Sequence, residues 1–426
     1  MLIRFEVENH RSLLEPAELS MVAVDERPEV RPHPRIGVSL LPVAGIFGPN
    51  AAGKSNLLSA LLWLRSAIAS SMTSWDDEIP VEPFAFGEAS SRDSSFTLEH
   101  EVHGVRFEYL LDVGRQRVTY EALFHYPEGR RRRVFERDGN ELILQRGLGE
   151  LSGTRALLTD RSLALSIMRR FDEPLTKSFT YNALNMTSMG QSLRGLRRIP
   201  ALRLSSSTLN FFGSEDTPEL DIFADPLFDH QARWASPKQR ALSLLKLADL
   251  GVTDVEIEDD PRDAISVPQA RRNRSVQLVH QSLEQRVPFE YNQESAGTRT
   301  WFELIGPVLF ALDRGAQVVF DEIDTSLHPR LTSQLVSLFS SPRSNRNGAQ
   351  LIFTTHDTNL LNQLNRDEVW LTKKLTSGAT QFGALADFAG ESVRRSANLE
   401  RSYLSGRFGA LPDTSHPDVL RDLGLI

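Results

Sequence analysis

The chain has 426 residues, 40% of them hydrophobic and 24% charged, a composition typical of a globular protein with room for two or three domains. The sum of 48 basic and 56 acidic residues is a net charge of −8, which argues against general wrapping of nucleic acid but leaves local basic patches open. Cysteine is absent, so disulfides, thiolate-bound zinc or iron–sulfur centres and a cysteine nucleophile are excluded.

Membrane and secretion signals are absent from the sequence pattern. No apolar run reaches the roughly 18 residues that a spanning helix needs. The first residues alternate like a strand and lack the basic and apolar regions of a signal peptide. We therefore expect a cytoplasmic protein with no membrane partner.

The N-terminal third alternates strands with a single long helix. Residues 2–8 alternate with a period of two, and residues 38–47 predict a buried strand that runs into a glycine-rich segment. Residues 56–69 follow as a predicted helix. Short alternating runs between residues 95 and 145, separated by glycines, predict an antiparallel meander.

The remainder changes from helical to alternating character. Residues 150–200 are predicted to be mainly helical and residues 204–235 irregular. Residues 236–250 predict a helix capped by Ser236 with Pro237 at its first position. Buried strands over 317–320 and 350–354 alternate with helices over 297–313 and 329–339, which predicts a parallel sheet covered by helices.

Residues 48–55 read Gly-Pro-Asn-Ala-Ala-Gly-Lys-Ser and match the phosphate-loop pattern G-x-x-x-x-G-K-[ST]. In this pattern backbone N–H groups and the start of a helix surround phosphate oxygens, the lysine contacts the β- and γ-phosphates, and the serine hydroxyl binds Mg²⁺. A chance glycine-rich turn is the alternative, but the strand before it and the helix after it favour the phosphate site. The predicted nucleotide-binding residues are Gly48, Pro49, Asn50, Ala51, Ala52, Gly53, Lys54, Ser55 and Asn56.

Two further strand ends carry candidate chemistry. Asp321 and Glu322 end an apolar strand, a pattern in which the aspartate holds Mg²⁺ and the glutamate polarises the attacking water as general base. His356 ends the next apolar strand, where it could hydrogen-bond a γ-phosphate. A solvated strand end and a structural histidine are the alternatives.

A third anion site is predicted where Ser295, Ala296 and Gly297 open a helix, because small residues at a helix start leave its N–H groups accessible. A simple serine N-cap is the alternative. The order of all these motifs resembles that of ABC-type ATPase heads, in the branch that contains RecF, the SMC proteins and the OLD (overcoming lysogenization defect) nucleases. With the segments 322–329 and 403–412, the chain looks like the stand-alone OLD-like AAA/ABC ATPases of the RloA and abortive-infection type.

The resemblance implies a P-loop NTPase fold of class α/β, with a mixed central sheet, an antiparallel β lobe and a helical insertion. The expected division is an N-terminal ATPase lobe over 1–150, a mainly helical insertion over 151–240 and a C-terminal ATPase lobe over 241–426. The cofactors implied are ATP and Mg²⁺. The catalytic residues implied are Glu322, His356 and Lys54, and the metal ligands are Ser55 and Asp321.

In such heads two copies bind head to tail around two ATPs, so the resemblance implies a homodimer or a higher even oligomer. Ser295 and Gly297 match the serine and second glycine of the family's signature and would contact the γ-phosphate of the other copy. Asn9-His10-Arg11-Ser12 looks like the element after the first strand, from which Arg11 would approach the nucleotide. The family's Q-loop glutamine was expected after the first helix, but residues 56–115 contain none.

The function implied is a Mg-dependent ATPase that regulates a separate effector, a nuclease or TOPRIM-like protein, in anti-phage defence. The alternatives are a RecF-like DNA repair ATPase and a nucleotide-bound sensor scaffold with negligible turnover. Only 70 residues follow His356, and they lack the acid set of a TOPRIM nuclease. Three arginine clusters are candidates for DNA contact, with solvated turns as the alternative: the run 130–133; Arg194, Arg197, Arg198 and Arg203; and Arg271, Arg272 and Arg274.

Overall fold

The computed structural model describes residues 1–190, 208–212, 236–248, 251–259, 274–282, 285–388 and 398–409. Parts of the predicted insertion over 151–240 and of the segment 403–412 therefore lie outside the described residues. The same holds for the arginine cluster between 194 and 203 and for Arg271 and Arg272.

A seven-stranded antiparallel sheet contains the predicted meander. The first strand of the chain inserts between the meander and a short neighbour. A two-residue turn with both φ angles positive, His103 (52°) and Gly104 (82°), connects Ser94–Val102 to Val105–Val113, because this turn matches the right-handed twist of the strands. In spatial order the strands are Glu141–Leu144, Arg132–Asp138, Val118–His125, Val105–Val113, Ser94–Val102, Leu2–Glu8 and Ala17–Ser20.

A six-stranded sheet contains the motif-bearing strands, and all its pairings are parallel except the last. Its strands are buried because helices and the antiparallel sheet cover its faces, which explains their continuous apolar runs. In spatial order they are Met186–Met189, Gln317–Phe320, Gln350–Thr354, Val43–Phe47, Val369–Lys374 and Thr380–Ala384.

The single strand predicted over 38–47 is wrong in one respect, because the structure divides it at Pro42. Val38–Leu40 pairs with Arg31–His33 in a separate two-stranded sheet, while Val43–Phe47 enters the parallel sheet. Proline has no N–H to donate, and the Pro42 carbonyl instead accepts from the Leu351 N–H at 2.9 Å.

A three-stranded antiparallel sheet is formed by Val252–Asp259, Arg274–Ser282 and Gln285–Glu290.

Helices cover these sheets. The predicted helix after the glycine-rich segment starts two residues earlier and ends five residues later, and Ser236 caps its helix with Pro237 as predicted. In its described part, residues 150–190, the predicted helical stretch contains three α-helices and a strand, Met186–Met189, that the sequence pattern did not reveal. The described α-helices are Lys54–Ser74, Thr154–Leu157, Ala164–Met168, Pro174–Leu184, Pro237–Leu247, Ala296–Arg314, Ile323–Ser326, Pro329–Ser340 and Leu399–Leu404.

In the described part of the chain, no helix is both long enough and apolar enough to cross a membrane.

One buried amide connects the two large sheets. The Gln350 side chain is fully buried at the start of its parallel strand. Its Oε1 accepts from the Leu2 N–H at 2.6 Å, and its Nε2 donates to the carbonyls of Leu2 (3.0 Å) and Leu41 (3.1 Å). Gln350 therefore satisfies backbone groups of the antiparallel sheet from within the parallel sheet.

We expect Gln350→Leu to lower the free energy of unfolding by about 2–4 kcal/mol, because the Leu2 N–H and two carbonyls would be left buried without partners. Denaturant titration followed by circular dichroism measures the change. Gln363→Leu is the matched control, since Gln363 is exposed and bonds only the Ser333 hydroxyl. It should change stability by about 0.5 kcal/mol or less. Equal effects of the two substitutions would contradict the structural role of Gln350.

Candidate functional site

The predicted phosphate loop leaves the C-terminal end of strand Val43–Phe47 and leads into helix Lys54–Ser74. Gly48 (φ 151°) and Gly53 (φ 94°) have positive φ, and an added Cβ would collide with Thr372 at the first and with Thr380 at the second. The Thr380 hydroxyl donates to the Ala52 carbonyl at 2.9 Å. Glycine is therefore required at both positions by conformation and by close packing.

The crest of the loop, residues 49–51, forms an accessible surface, whereas Ala52 is buried. Ala51 has a φ of 59°, a left-handed conformation that is strained in a residue with a Cβ. Pro49 is half-buried, and Asn50 and Ala51 are exposed. Asn56, in the first turn of the helix, donates from Nδ2 to the Ser12 hydroxyl at 2.6 Å. The loop is thus tied to the rest of the protein at its glycines and first helical turn, while its crest is accessible to a ligand.

Lys54 lies inside this loop with its side chain almost fully buried. Its Nζ donates to the carbonyls of Gly48 (2.9 Å) and Pro49 (3.0 Å). Burial lowers the pKa of Lys54 to about 8, and the nearby carboxylates of Glu322, Asp324 and Asp321 oppose that shift. The ammonium group is therefore positioned at the centre of the loop, where an anion would restore its full charge.

Asp321 is buried at the end of strand Gln317–Phe320 and faces the loop. Its Oδ1 accepts from the hydroxyls of Ser55 (2.8 Å) and Thr354 (2.6 Å), while its buried Oδ2 has no hydrogen-bond partner among the described residues. The Ser55 hydroxyl and Asp321 Oδ2 are oxygen ligands of the kind that Mg²⁺ prefers. Two protein ligands leave the other coordination positions of the ion to water and phosphate. Ser55 and Asp321 therefore fit the predicted metal site.

Glu322 follows Asp321 in a left-handed conformation, with a φ of 53°. Its N–H donates to the Thr354 hydroxyl at 2.7 Å, so the neighbouring strand holds this strained backbone in place. The two strands end side by side, because Gln317–Phe320 and Gln350–Thr354 are paired in parallel. The Glu322 carboxylate is thereby held at the same sheet edge as the loop and Asp321.

His356 lies at that edge, with its Nδ1 3.5 Å from the Lys54 ammonium nitrogen. Burial, with a smaller contribution from the Lys54 charge, lowers the pKa of His356, so its ring is neutral at neutral pH. Asp324 holds the His356 backbone: its Oδ1 accepts from the His356 N–H (3.1 Å) and the Thr355 hydroxyl (2.8 Å). The sequence analysis did not identify Thr354, Thr355 or Asp324, although their position at and just after the two strand ends was a usable signal.

The unpredicted strand Met186–Met189 also borders the site. It pairs in parallel with Gln317–Phe320, and the Asp321 N–H donates to the Met189 carbonyl at 3.1 Å. Gly190 (φ 99°) lies so close to Asp321 that an added Cβ would overlap the Asp321 backbone. The segment expected to carry the family's glutamine, after the first helix, instead leads to the antiparallel sheet. The residue after Gly190 is Gln191, which lies outside the described residues.

Arg11 is engaged by a carboxylate in this structure. It has a φ of 51°, and its guanidinium donates to both oxygens of Glu82, from Nε at 3.0 Å and from Nη2 at 2.8 Å. Its Nη1 donates to the Ser59 hydroxyl on the helix that follows the loop. The predicted approach of Arg11 to a nucleotide stays a prediction.

The signature segment, residues 295–297, lies at the start of helix Ala296–Arg314. The Ser295 hydroxyl accepts from the Thr298 N–H at 3.1 Å and caps helix Ala296–Arg314. Ser295, Ala296 and Gly297 are exposed, and a Cβ added at Gly297 would meet the Ser295 hydroxyl at 3.8 Å, an ordinary contact. Glu294 binds His280 of the three-stranded sheet, with 2.6 Å between Oε1 and Nε2. The cap predicted as the alternative exists, and it leaves the helix start accessible to an external anion.

The arginine run 130–133 is partly neutralised. Arg131 pairs with Glu108 at 3.0 Å and its guanidinium stacks on Phe124, and Arg133 pairs with Glu136 at 2.8 Å. These contacts favour a local structural role over a free DNA-binding patch. Arg274 lies in a strand of the three-stranded sheet.

The sequence matches one family model over most of its length. A family model described as "AAA domain, putative AbiEii toxin, Type IV TA system" matches residues 43–362. No curated protein matches the sequence significantly. Among solved structures, the SMC head domain from Thermotoga maritima matches with a TM-score of 0.42 and 13% identity, covering 90% of this chain and 98% of that one.

Two further SMC heads are similar at the same level. An Smc head bound to the C-terminal winged-helix domain of ScpA has a TM-score of 0.45 and 11% identity, and covers 90% of this chain and 97% of that one. An Smc head with an extended coiled coil, bound to the C-terminal domain of ScpA derived from Pyrococcus furiosus, has a TM-score of 0.44 and 11% identity, with coverages of 90% and 96%.

The pKa of Lys54 predicts a pH dependence of polyphosphate binding. Below pH 8 the free protein already carries the ammonium form, so affinity should be constant. Above pH 8 the ligand must bind together with a proton, and affinity should fall by up to about tenfold per pH unit. Calorimetric titration of ATP with Mg²⁺ at pH 7, 8 and 9 tests this. Lys54→Arg, whose guanidinium stays charged, should bind more weakly with a flat profile. A flat wild-type profile would contradict the lowered pKa.

Proposed function

The chain belongs to the AAA family that its sequence matches, with the fold of an ABC-type ATPase head, and on that premise we propose that it binds ATP with Mg²⁺ and hydrolyses it in a head-to-tail dimer. One observation carries the proposal most directly. The Ser55 hydroxyl, the free oxygen of Asp321, the Lys54 ammonium and Glu322 all converge on one sheet edge.

Each side chain has a defined task in this proposal. Loop N–H groups and Lys54 bind the phosphates, and Ser55 and Asp321 hold Mg²⁺, which supplies charge neutralisation when bound. Glu322 orients the attacking water and accepts its proton. Neutral His356 hydrogen-bonds the γ-phosphate, and Asp324 fixes the backbone that carries it.

The dimer supplies the part that a single copy lacks. Ser295 and Gly297 are exposed at a helix start, where N–H groups and the helix dipole favour an anion. The described side-chain hydrogen bonds of this segment run to its own helix and, from Glu294, to the three-stranded sheet, and none of them reaches the phosphate loop. We therefore assign the signature to the γ-phosphate bound by the other copy.

We further propose that turnover regulates a separate effector, a nuclease or TOPRIM-like protein, in anti-phage defence. The family description, which includes "putative AbiEii toxin, Type IV TA system", supports a place in a toxin–antitoxin system, and the separate effector follows from the resemblance to stand-alone OLD-like ATPases. A RecF-like DNA-binding role has weaker support, since Arg131 and Arg133 are already paired with carboxylates.

Glu322→Gln tests the catalytic assignment. We expect ATP affinity to change less than about threefold, turnover to fall at least about a hundredfold through loss of the general base, and the ATP-bound dimer to accumulate. Phosphate release and size-exclusion chromatography with light scattering measure these effects. A monomer that hydrolyses ATP at the wild-type rate would refute the proposal. An inactive wild type that still binds ATP would favour the sensor scaffold.

Mixing variants tests whether the signature acts on the other copy. Ser295→Ala should bind ATP through its intact loop and still dimerise, but turnover should fall because the Ser295 hydroxyl contact to the γ-phosphate of the other copy is lost. In a mixed dimer with Glu322→Gln, one site combines an intact Glu322 from the first chain with an intact Ser295 from the second. We therefore expect the mixture to recover activity that neither variant shows alone. Well-folded variants that bind ATP but show no recovery would place the signature outside the site.

A further inference from the structure

A single hydroxyl group contacts both acidic residues that the proposed function assigns to the metal and to water. Thr354 is the last residue of strand Gln350–Thr354 and is fully buried. Its hydroxyl donates to Asp321 Oδ1 at 2.6 Å and accepts from the Glu322 N–H at 2.7 Å. One side chain of the neighbouring strand is therefore bonded to both acids at once.

The register of the parallel sheet brings Thr354 to this position. Its strand pairs with Gln317–Phe320, and the last pair of this ladder joins Phe353 to Phe320. Thr354 and Asp321 are the next residues on the two strands, so they meet where the ladder ends. A β-branched side chain has few rotamers at χ1, so the direction of the hydroxyl is also restricted.

The bond to Asp321 determines which oxygen of that carboxylate is available to a cation. Oδ1 accepts from the hydroxyls of Ser55 and Thr354, whereas the buried Oδ2 has no hydrogen-bond partner among the described residues. Two donors on one oxygen restrict rotation of the carboxylate group, so Oδ2 remains the oxygen available to the ion. Hydrogen bonds that hold a metal-binding carboxylate in this way commonly change metal affinity by about 10- to 100-fold when they are removed.

The bond from Glu322 holds the backbone that carries the proposed general base. Glu322 has a φ of 53°, a left-handed conformation that a residue with a Cβ keeps only where its surroundings enforce it. The Thr354 oxygen is the described partner of its N–H. Without this acceptor the backbone of Glu322 would relax, and its carboxylate would move away from the position that orients the attacking water.

We propose that Thr354 is a positioning residue that orients Asp321 and Glu322 together, so that one hydroxyl group supports both metal binding and the activation of water. This inference rests on the proposed ATPase function and adds a residue that acts through the two acids. No described side-chain hydrogen bond joins Thr354 to Lys54 or to the glycines of the phosphate loop. Loss of the hydroxyl should therefore impair metal-dependent binding and turnover, and spare the binding of phosphate by the loop.

Thr354→Val tests this role, because valine keeps the branched shape and removes the hydroxyl. Calorimetry measures the affinity for ATP in the presence of Mg²⁺ and, separately, in the presence of EDTA. We expect the affinity with Mg²⁺ to fall about tenfold, and the affinity with EDTA to stay within about twofold of the wild type. Phosphate release at saturating ATP and Mg²⁺ should slow at least about tenfold, since Glu322 would be misplaced.

Two further variants identify the hydroxyl as the cause. Thr354→Ser keeps this group and should bind ATP with Mg²⁺ within about threefold of the wild type. Thr180→Val is the matched control, since Thr180 is also buried but its hydroxyl donates to the Thr176 carbonyl of its own helix. It should bind and hydrolyse ATP as the wild type does. If circular dichroism shows that Thr354→Val does not fold, Thr354→Ala replaces it, because alanine and serine differ only in the hydroxyl.

The outcomes separate this inference from the proposed function. If the wild type requires Mg²⁺ and Thr354→Val binds and hydrolyses ATP equally well, the positioning role is refuted while the ATP site stands. If Thr354→Val loses affinity for ATP equally with Mg²⁺ and with EDTA, or if Thr354→Ser is as impaired as Thr354→Val, the positioning role is also refuted. If the wild type binds ATP equally with Mg²⁺ and with EDTA, the assigned metal site and this inference are both refuted.

Discussion

The hydrogen bond from the Ser55 hydroxyl to Asp321 Oδ1 joins residues 266 positions apart, and the candidate site depends on it. It forms because strands Val43–Phe47 and Gln317–Phe320 are separated in the sheet only by Gln350–Thr354, with all three parallel. Parallel strands bring their C-terminal ends to one edge, where loops from distant parts of the chain meet. After helix Lys54–Ser74 the chain must therefore return to this sheet in time to form strand Gln317–Phe320.

That edge concentrates opposing charges in a partly buried space. Lys54 is the cation at its centre, and Asp321, Glu322 and Asp324 surround it with carboxylates. Burial weakens the lysine's hold on its proton, and only part of that loss is recovered from the acids. A bound polyphosphate would stabilise the charged form of Lys54, and its metal ion would compensate the negative charge of the carboxylates. The cation and the three acids are therefore arranged to bind a metal–polyphosphate complex.

The residues that could be predicted from the sequence are those that belong to a local sequence motif. The phosphate loop, Asp321, Glu322 and the cap at Ser295 all follow from residue types at fixed spacing, and the structure places the first three at one edge. Thr354 and Asp324 were missed because their roles depend on which strands become neighbours, and a serine-like hydroxyl or an acid is common at any strand end. The strand Met186–Met189 was missed because four residues cannot establish a period, and Gln350 because a buried amide has no sequence signature.

Six described residues other than glycine have left-handed backbone: Arg11, Ala51 and Glu322 lie around this edge, Asn9 lies two residues before Arg11, and His103 and Glu128 lie at turns of the antiparallel sheet. Each such conformation costs about 1–3 kcal/mol and persists only because the surrounding contacts enforce it. Part of this strain is therefore stored where ligands are expected to bind, and part at turns of the antiparallel sheet. Substitutions that relieve the strain at Ala51 or Glu322 would therefore raise thermal stability at the expense of the proposed ATP site.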